Sequence, residues 1–134
     1  MLKMTALSKV YRTEMVETYA LRDFNLQVKQ GEFVAVTGPS GSGKTTLLNI
    51  IGCLDRASAG SYALDGVDVS NRDFDDLAGV RNQKIGFIFQ NFNLIPVLDV
   101  AENIEFPCAV RKNADKPVVL RKKVEALAEA VGLR

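Results

Sequence analysis

The sequence predicts an α/β fold in which helices cover a parallel sheet, with an antiparallel β-subdomain at the N-terminus. Two continuous apolar runs, 33–37 and 85–89, are typical of strands that are buried on both faces, as in a parallel sheet. The first run leads through a glycine-rich turn into a helical pattern of apolar residues that reaches Leu54. Residues 2–10 and 19–28 alternate in polarity instead, which predicts two strands with one covered face each.

Composition limits the function classes. With 134 residues, 47% of them apolar, the chain has the size and polarity of one folded domain. Its net charge of +1 provides no basic field for nucleic acid. The longest apolar run, 47–54, is far shorter than the ~20 residues of a membrane span. Because the first residues lack an export signal, we expect a cytoplasmic chain.

The two cysteines and the absence of histidine bear on metal and redox chemistry. Cys53 and Cys108 have no metal-ligand spacing, so we predict that both are reduced core residues. The sequence contains no histidine at all.

The turn after the first apolar run combines glycines, hydroxyl residues and a lysine. Glycines at 38, 41 and 43 permit positive φ angles and a close backbone approach, so that successive N–H groups can surround an anion. The following helix directs its N-terminal N–H groups and the positive end of its dipole at the same point. A turn that only joins two elements would not require a lysine and two threonines at the helix start. We therefore predict a nucleotide-phosphate site formed by Gly38, Pro39, Ser40, Gly41, Ser42, Gly43, Lys44, Thr45 and Thr46.

Two residues of this loop have predicted roles of their own. Lys44 supplies a mobile positive charge for the β- and γ-phosphate oxygens, and the Thr45 hydroxyl holds Mg²⁺ against them. Asp65 is a rival metal ligand only if residues 61–65 form a second strand that ends at the phosphates. Because Gly66 follows at once, residues 61–69 predict a hairpin with an Asp-Gly turn instead.

Helix signals mark the second half of the chain. Residues 73–84 have helical spacing, with acidic residues early and basic residues late. Asp99 and Glu102 have the spacing of a capping box, which opens a short helix that Pro107 bends or ends. A final helix starts at 115–117 and stops near Gly132, with a predicted apolar face of Leu120, Val124, Leu127, Ala128 and Val131.

Gln90 and Tyr11 each stand at the end of a predicted strand. Gln90 follows the apolar run 85–89, at the edge where open α/β sheets place their ligands. Tyr11, taken alone, is more typical of packing than of ligand recognition.

With these residues in place, the chain resembles the first part of an ATP-binding-cassette (ABC) ATPase domain, a P-loop NTPase with a RecA-like core. Residues 38–46 match the Walker A loop of that family at each fixed position. Tyr11 falls where the family has the aromatic residue that stacks on adenine, and Gln90 matches the glutamine whose side-chain carbonyl reaches Mg²⁺ and the attacking water. The resemblance implies ATP and Mg²⁺ as ligands.

The amino-acid sequences of segments 50–55 and 85–96 are most similar to those of the branch of lipoprotein-release and macrolide-export ATPases. In that branch the loop after the glutamine forms a groove for a coupling helix of a membrane subunit, and the ATPase works as a homodimer at the inner face of the plasma membrane. Ordinary loop packing is the alternative for the apolar residues of that loop. They are Phe92, Leu94, Ile95 and Val97.

Three motifs of the family are not found in this sequence: the Leu-Ser-Gly-Gly-Gln signature, the Walker B strand and the switch histidine. The resemblance therefore implies an N-terminal fragment that binds ATP without hydrolysing it. In the family, two further strands lie between the predicted strands 33–37 and 85–89, so these are left without partners. The implied layout is an antiparallel subdomain (1–31 and 61–70), the P-loop core (32–60 and 71–98) and the start of a helical subdomain (99–134).

Two rival classes share part of these features. A small GTPase or a nucleotide kinase explains the phosphate loop but leaves Tyr11 and Gln90 without a role, and the sequence has no guanine-reading Asn-Lys-x-Asp motif. An ABC ATPase of translation or DNA repair shares the motifs but has no membrane partner. The apolar loop after Gln90 favours the transporter branch.

Overall fold

The computed structural model describes residues 1–109 and 116–133. The chain divides into two compact units, Met1–Arg81 and Asn82–Arg134. None of the helices in the described residues is long and apolar enough to cross a membrane. In chain order the elements are β1 (Leu2–Arg12), β2 (Glu17–Val28), α1 (Lys44–Ile51), β3 (Ala59–Leu64), β4 (Val67–Asp68), α2 (Phe74–Lys84), α3 (Val100–Ala109) and α4 (Pro117–Ala130).

The four strands form one antiparallel sheet in the order β2-β1-β3-β4. The predicted N-terminal antiparallel sheet is therefore confirmed, and its hairpin is the β3–β4 pair. Asp65 and Gly66 both have positive φ, +51° and +78°, as a two-residue hairpin turn requires. Asp65 is thus a turn residue, and its carboxylate accepts a hydrogen bond from the N-terminal amine of Met1 at 2.8 Å.

An irregularity in β2 shapes the sheet beside the glycine-rich loop. Lys9 pairs with Leu21, whereas the next residue of β1, Val10, pairs with Tyr19. One extra residue, Ala20, is therefore accommodated in β2 as a bulge.

The buried apolar side chains of the first unit come from both the sheet and the helices. Ile50 of α1, Tyr62 of β3 and Leu77 of α2 line one small cavity, so these three elements meet in the core. The thiol of Cys53 is buried there as predicted, whereas Cys108 is only partly buried; both are free. The buried set of this unit is Met4, Leu7, Leu21, Leu47, Ile50, Cys53, Tyr62, Val69 and Leu77.

The prediction of buried strands at 33–37 and 85–89 is wrong for this structure. Within the described part of the chain, neither segment forms a strand or pairs with one. Phe33 is 96% exposed and Ile88 is fully exposed. A strand needs hydrogen-bonded neighbours as well as an apolar sequence, and among the described residues neither segment has a neighbouring strand.

The helix boundaries follow local signals. Asp73 caps α2 by accepting a hydrogen bond from the Asp76 N–H at 2.8 Å. The predicted capping box of α3 is confirmed in both directions: the Glu102 N–H donates to Asp99 Oδ1, and the Asp99 N–H donates to Glu102 Oε2, each at 2.8 Å. Pro107 does not end α3, which continues to Ala109.

Helices α1 and α4 differ in part from their predicted extent. Helix α1 ends at Ile51, so Leu54 lies beyond it and is 43% exposed. Helix α4 starts at Pro117, and the predicted start at Asp115 lies outside the described residues. Of its predicted apolar face, Leu120 and Val124 are buried, whereas Leu127 and Val131 are mostly exposed.

Candidate nucleotide-binding site

The glycine-rich loop runs directly into the N-terminus of α1. Gly38, Gly41 and Gly43 have φ angles of +155°, +78° and +86°, a region that side chains disfavour. Gly43 is the N-cap of α1 and offers no side-chain cap, so the first N–H groups of the helix are left for an external acceptor. The Leu47 N–H makes the first intrahelical bond, to Gly43 O at 2.8 Å.

Two of the three glycines also have close neighbours, and the neighbour of Gly43 is a backbone atom that cannot move aside. A Cβ atom added at Gly43 would overlap the carbonyl oxygen of Ala20, the bulge residue of β2. A Cβ atom added at Gly38 would lie 2.8 Å from Ser42 Oγ. The bulge in β2 and the end of the loop therefore fit against each other only because residue 43 has no side chain.

The ammonium group of Lys44 lies within the loop. Its Nζ donates hydrogen bonds to the carbonyl oxygens of Gly38, at 2.8 Å, and Pro39, at 2.6 Å, and lies 3.5 Å from Ser42 Oγ. The positive charge that the sequence predicts for phosphate binding is thus placed at the loop, where neutral carbonyls hold it. The remaining predicted loop residues are exposed or half-buried: Ser40 and Thr45 are exposed and Thr46 is half-buried.

Tyr11 belongs to the same compact unit as the loop. It lies near the end of β1, opposite Thr18 of β2, and 44% of its surface is exposed. Its hydroxyl donates to Asp55 Oδ2 at 3.1 Å. The ring is therefore anchored at one end and still accessible to a ligand.

Gln90 and the apolar loop after it belong to the second unit. Gln90 is exposed and follows a segment that does not form a strand, so the predicted sheet edge is not formed around it. The next two residues, Phe92 and Asn93, both have positive φ, +51° and +52°. Phe92, Leu94 and Val97 are 83%, 66% and 88% exposed, and Ile95 is half-buried.

Asn103 of α3 holds this loop and was not predicted from the sequence. Its Oδ1 accepts a hydrogen bond from the Ile95 N–H at 2.8 Å. Its Nδ2 faces three carbonyl oxygens: Ile95 at 3.2 Å, Leu98 at 3.0 Å and Asp99 at 2.9 Å. An asparagine one helical turn after a capping-box aspartate was the available signal.

In the comparison with protein families, the ABC transporter family model matches residues 21–134. Among curated relatives, an uncharacterized ABC transporter ATP-binding protein of Methanocaldococcus jannaschii, MJ0796, is 49% identical over 80% of this chain and 46% of its own length. The macrolide export ATP-binding/permease protein MacB of Syntrophobacter fumaroxidans is 42% identical over 99% of this chain and 19% of its own length.

Solved structures give the same result for the fold. The dimeric post-hydrolysis structure of the MJ0796 cassette, bound to ADP and Pi, matches 96% of this chain and 56% of that one, with a TM-score of 0.87 at 42% identity. The chain thus spans about half the length of the single-cassette relatives that it matches.

Proposed function

Because the chain belongs to the ABC transporter family, we propose that it binds ATP through residues 38–46. The observation that carries this proposal is the loop geometry: glycines with positive φ lead into the uncapped N-terminus of α1. Consecutive backbone N–H groups and the helix dipole favour an anion at that point. A triphosphate needs many donors at once, which a backbone loop supplies better than separate side chains.

Lys44 is the residue that exchanges partners in this proposal. Its ammonium is held by the carbonyl oxygens of Gly38 and Pro39, which are weaker partners than phosphate because they carry no net charge. With nucleotide present, the β- and γ-phosphate oxygens replace them.

Magnesium fits the residues that surround the proposed nucleotide. Mg²⁺ prefers oxygen ligands and is often held jointly by protein and phosphates, where it neutralises phosphate charge. Across the described ranges, no group of three or more His, Cys, Asp or Glu residues could hold a metal alone. From the family resemblance alone, the Thr45 hydroxyl and the Gln90 side-chain carbonyl are proposed as its protein ligands, and Gln90 is also proposed to orient the attacking water.

Tyr11 is proposed to stack on the adenine ring. Its exposed ring area and its place in the same unit as the loop support this role. Aromatic stacking on a base adds affinity of ~1–3 kcal/mol, so the base contributes alongside the phosphates.

The loop after Gln90 is proposed as the contact with a membrane permease subunit. The high exposure of Phe92, Leu94 and Val97 argues against ordinary loop packing, and exposed apolar clusters are typical of interaction sites.

In the whole protein, two such ATPases would act as a homodimer at the inner face of the plasma membrane, and ATP hydrolysis would drive export or extraction of a substrate.

The test uses the whole protein and compares Lys44→Ala with Lys29→Ala, an exposed lysine at the end of β2. Removing the Lys44 charge should weaken Mg-ATP binding ~10- to 100-fold, the range for a hydrogen bond to a charged group, and should abolish steady-state ATP turnover. Lys29→Ala should change neither quantity. Unchanged turnover in Lys44→Ala, or GTP binding as tight as ATP binding, would refute the proposal.

For the 134-residue chain by itself we propose ATP binding without turnover. In the family, a glutamate after the Walker B strand is the general base and the signature grips the γ-phosphate, and neither motif is found in this sequence. Calorimetry with Mg-ATP should show binding while a phosphate-release assay shows no hydrolysis above background. Turnover by this chain at a rate comparable with the whole protein would contradict this.

A further inference from the structure

A charged cluster holds the Tyr11 ring from two directions. Lys9 and Tyr11 are two residues apart on β1 and therefore share one face of the sheet. The Lys9 ammonium lies 4.9 Å from the centre of the Tyr11 ring and donates a hydrogen bond to Asp55 Oδ1 at 2.7 Å. The other carboxylate oxygen, Oδ2, accepts from the Tyr11 hydroxyl at 3.1 Å. One carboxylate thus joins the ammonium and the hydroxyl in a closed triangle.

The cluster is fixed by its own backbone contacts. Asp55 Oδ1 also accepts from the Arg56 N–H at 2.7 Å, and Lys9 Nζ donates to the Arg56 carbonyl at 2.8 Å. The side chains of Lys9 and Asp55 are only 13% and 26% exposed, so water competes weakly for their ion pair. Tyr11, in contrast, keeps 44% of its surface exposed. The Lys9 and Asp55 side chains are therefore largely buried, whereas the Tyr11 ring that they contact is accessible to solvent.

We infer that Asp55 and Lys9 are positioning residues that fix the Tyr11 ring for stacking on the base of the nucleotide. This inference rests on the proposed function, because it assigns Tyr11 to the adenine. A free tyrosine on a strand end would lose rotamer freedom on stacking, whereas a ring already held at its hydroxyl and over one face has little left to lose. The Lys9 ammonium covers one face, so the base is expected on the other.

The ionisation state of Asp55 agrees with this geometry. Burial alone would raise the pKa of its carboxyl, but the hydrogen bonds from Lys9, the Arg56 N–H and the Tyr11 hydroxyl outweigh it and hold the pKa below its ordinary value. At neutral pH the carboxylate is therefore an acceptor only, and the Tyr11 hydroxyl must be the donor.

Binding of the base and binding of the phosphates are expected to depend on different residues. Asp55 lies after the end of α1, outside the glycine-rich loop, and within the described part of the chain its carboxylate accepts hydrogen bonds from Lys9, Tyr11 and Arg56. Loss of the cluster should therefore weaken ligands that contain a base and leave a bare triphosphate unaffected.

The experiment measures the Kd of Mg-ATP and of Mg-tripolyphosphate for the whole protein and for its Asp55→Ala, Lys9→Met and Tyr11→Ala variants. Asp55→Ala and Lys9→Met should each weaken ATP binding about 5-fold, the order expected for one hydrogen bond, without changing tripolyphosphate binding. Glu17→Ala is the matched control, because it breaks the neighbouring Arg12–Glu17 ion pair of the same hairpin (2.8 Å) without touching Tyr11.

A double-mutant cycle shows whether the effect passes through the ring. In the Tyr11→Ala background, Asp55→Ala and Lys9→Met should have no further effect on ATP affinity. Equal ATP affinity in the variants and the wild type, equal losses for ATP and tripolyphosphate, or an undiminished effect without the ring would overturn the inference. Failure of the wild type to bind either ligand would instead overturn the proposed function, and the inference with it.

Discussion

Tyr62 is a residue whose buried hydroxyl makes the stability of the fold sensitive to alkaline pH. It is 3% exposed, and its hydroxyl donates to the Ile51 carbonyl at 2.8 Å, where α1 ends. Burial raises the pKa of this phenol well above its ordinary value, and the nearby Cys53 thiol raises it further. Below the ordinary pKa of about 10 the folded state keeps its full stability; above it, only the unfolded tyrosine ionises readily, so folding is progressively disfavoured.

The prediction is tested by urea unfolding of the whole protein between pH 8 and pH 11, comparing the wild type with Tyr62→Phe and Tyr19→Phe. At neutral pH, Tyr62→Phe should lower the free energy of unfolding by ~1 kcal/mol, because the Ile51 carbonyl loses its donor. Above about pH 10 the wild type should lose stability more steeply than Tyr62→Phe. Tyr19 is half exposed, so Tyr19→Phe should follow the wild type. Parallel profiles for the wild type and Tyr62→Phe would show that Tyr62 does not contribute.

At the scale of elements, two separate sets of hydrogen bonds hold the start of α3 and the loop before it. The capping box joins Asp99 to Glu102, and the Asn103 side chain holds the backbone from Ile95 to Asp99. These contacts fix the shape of the segment that we propose as the permease contact. They also protect different amides, so hydrogen exchange can distinguish them.

We predict that substitutions of Asn103 and Asp99 each speed the hydrogen exchange of a different backbone amide. Asn103→Ala should speed exchange of the Ile95 amide, which donates to Asn103 Oδ1, and should leave the Glu102 amide protected. Asp99→Ala should do the reverse and should cost ~1 kcal/mol of helix stability, whereas Asp99→Ser, which retains a capping oxygen, should be close to neutral. If both variants affect both amides equally, the loop and the helix start form one cooperative unit, and the two sets of hydrogen bonds do not act independently.

The elements predicted correctly from the sequence are those specified by short-range signals. The Asp65-Gly66 turn and the Asp99–Glu102 box need only residues within four positions of one another. The strands at 33–37 and 85–89 were predicted from apolar runs, but an apolar run specifies burial only where a partner exists. In the candidate site, the loop glycines were predictable from spacing, whereas the Lys9–Asp55 pair joins residues 46 positions apart and has no local pattern.

At the scale of the whole molecule, the chain exposes two apolar segments, 33–37 and 85–89, that have no strand partner among the described residues. Phe33 and Ile88 are nearly or fully exposed, and the rings of Phe87 and Phe89 stack on each other with their centroids 5.5 Å apart. Apolar segments without strand partners offer other molecules both apolar area and backbone groups that can pair with a strand. We therefore expect the 134-residue chain to self-associate.

We predict that Phe33→Lys and Ile88→Lys reduce self-association of the 134-residue chain but lower the stability of the whole protein. In the chain, each added charge should reduce concentration-dependent association in sedimentation velocity, since charges on open edges block pairing. In the whole protein, where the family resemblance places both segments inside a parallel sheet, a buried unpaired charge should cost several kcal/mol and lower the Tm. Met15→Lys is the control, because Met15 is 93% exposed in the β1–β2 connection and should be neutral in both settings. A monomeric wild-type chain with a cooperative thermal transition would contradict the first expectation, and an unchanged Tm in the whole protein would contradict the second.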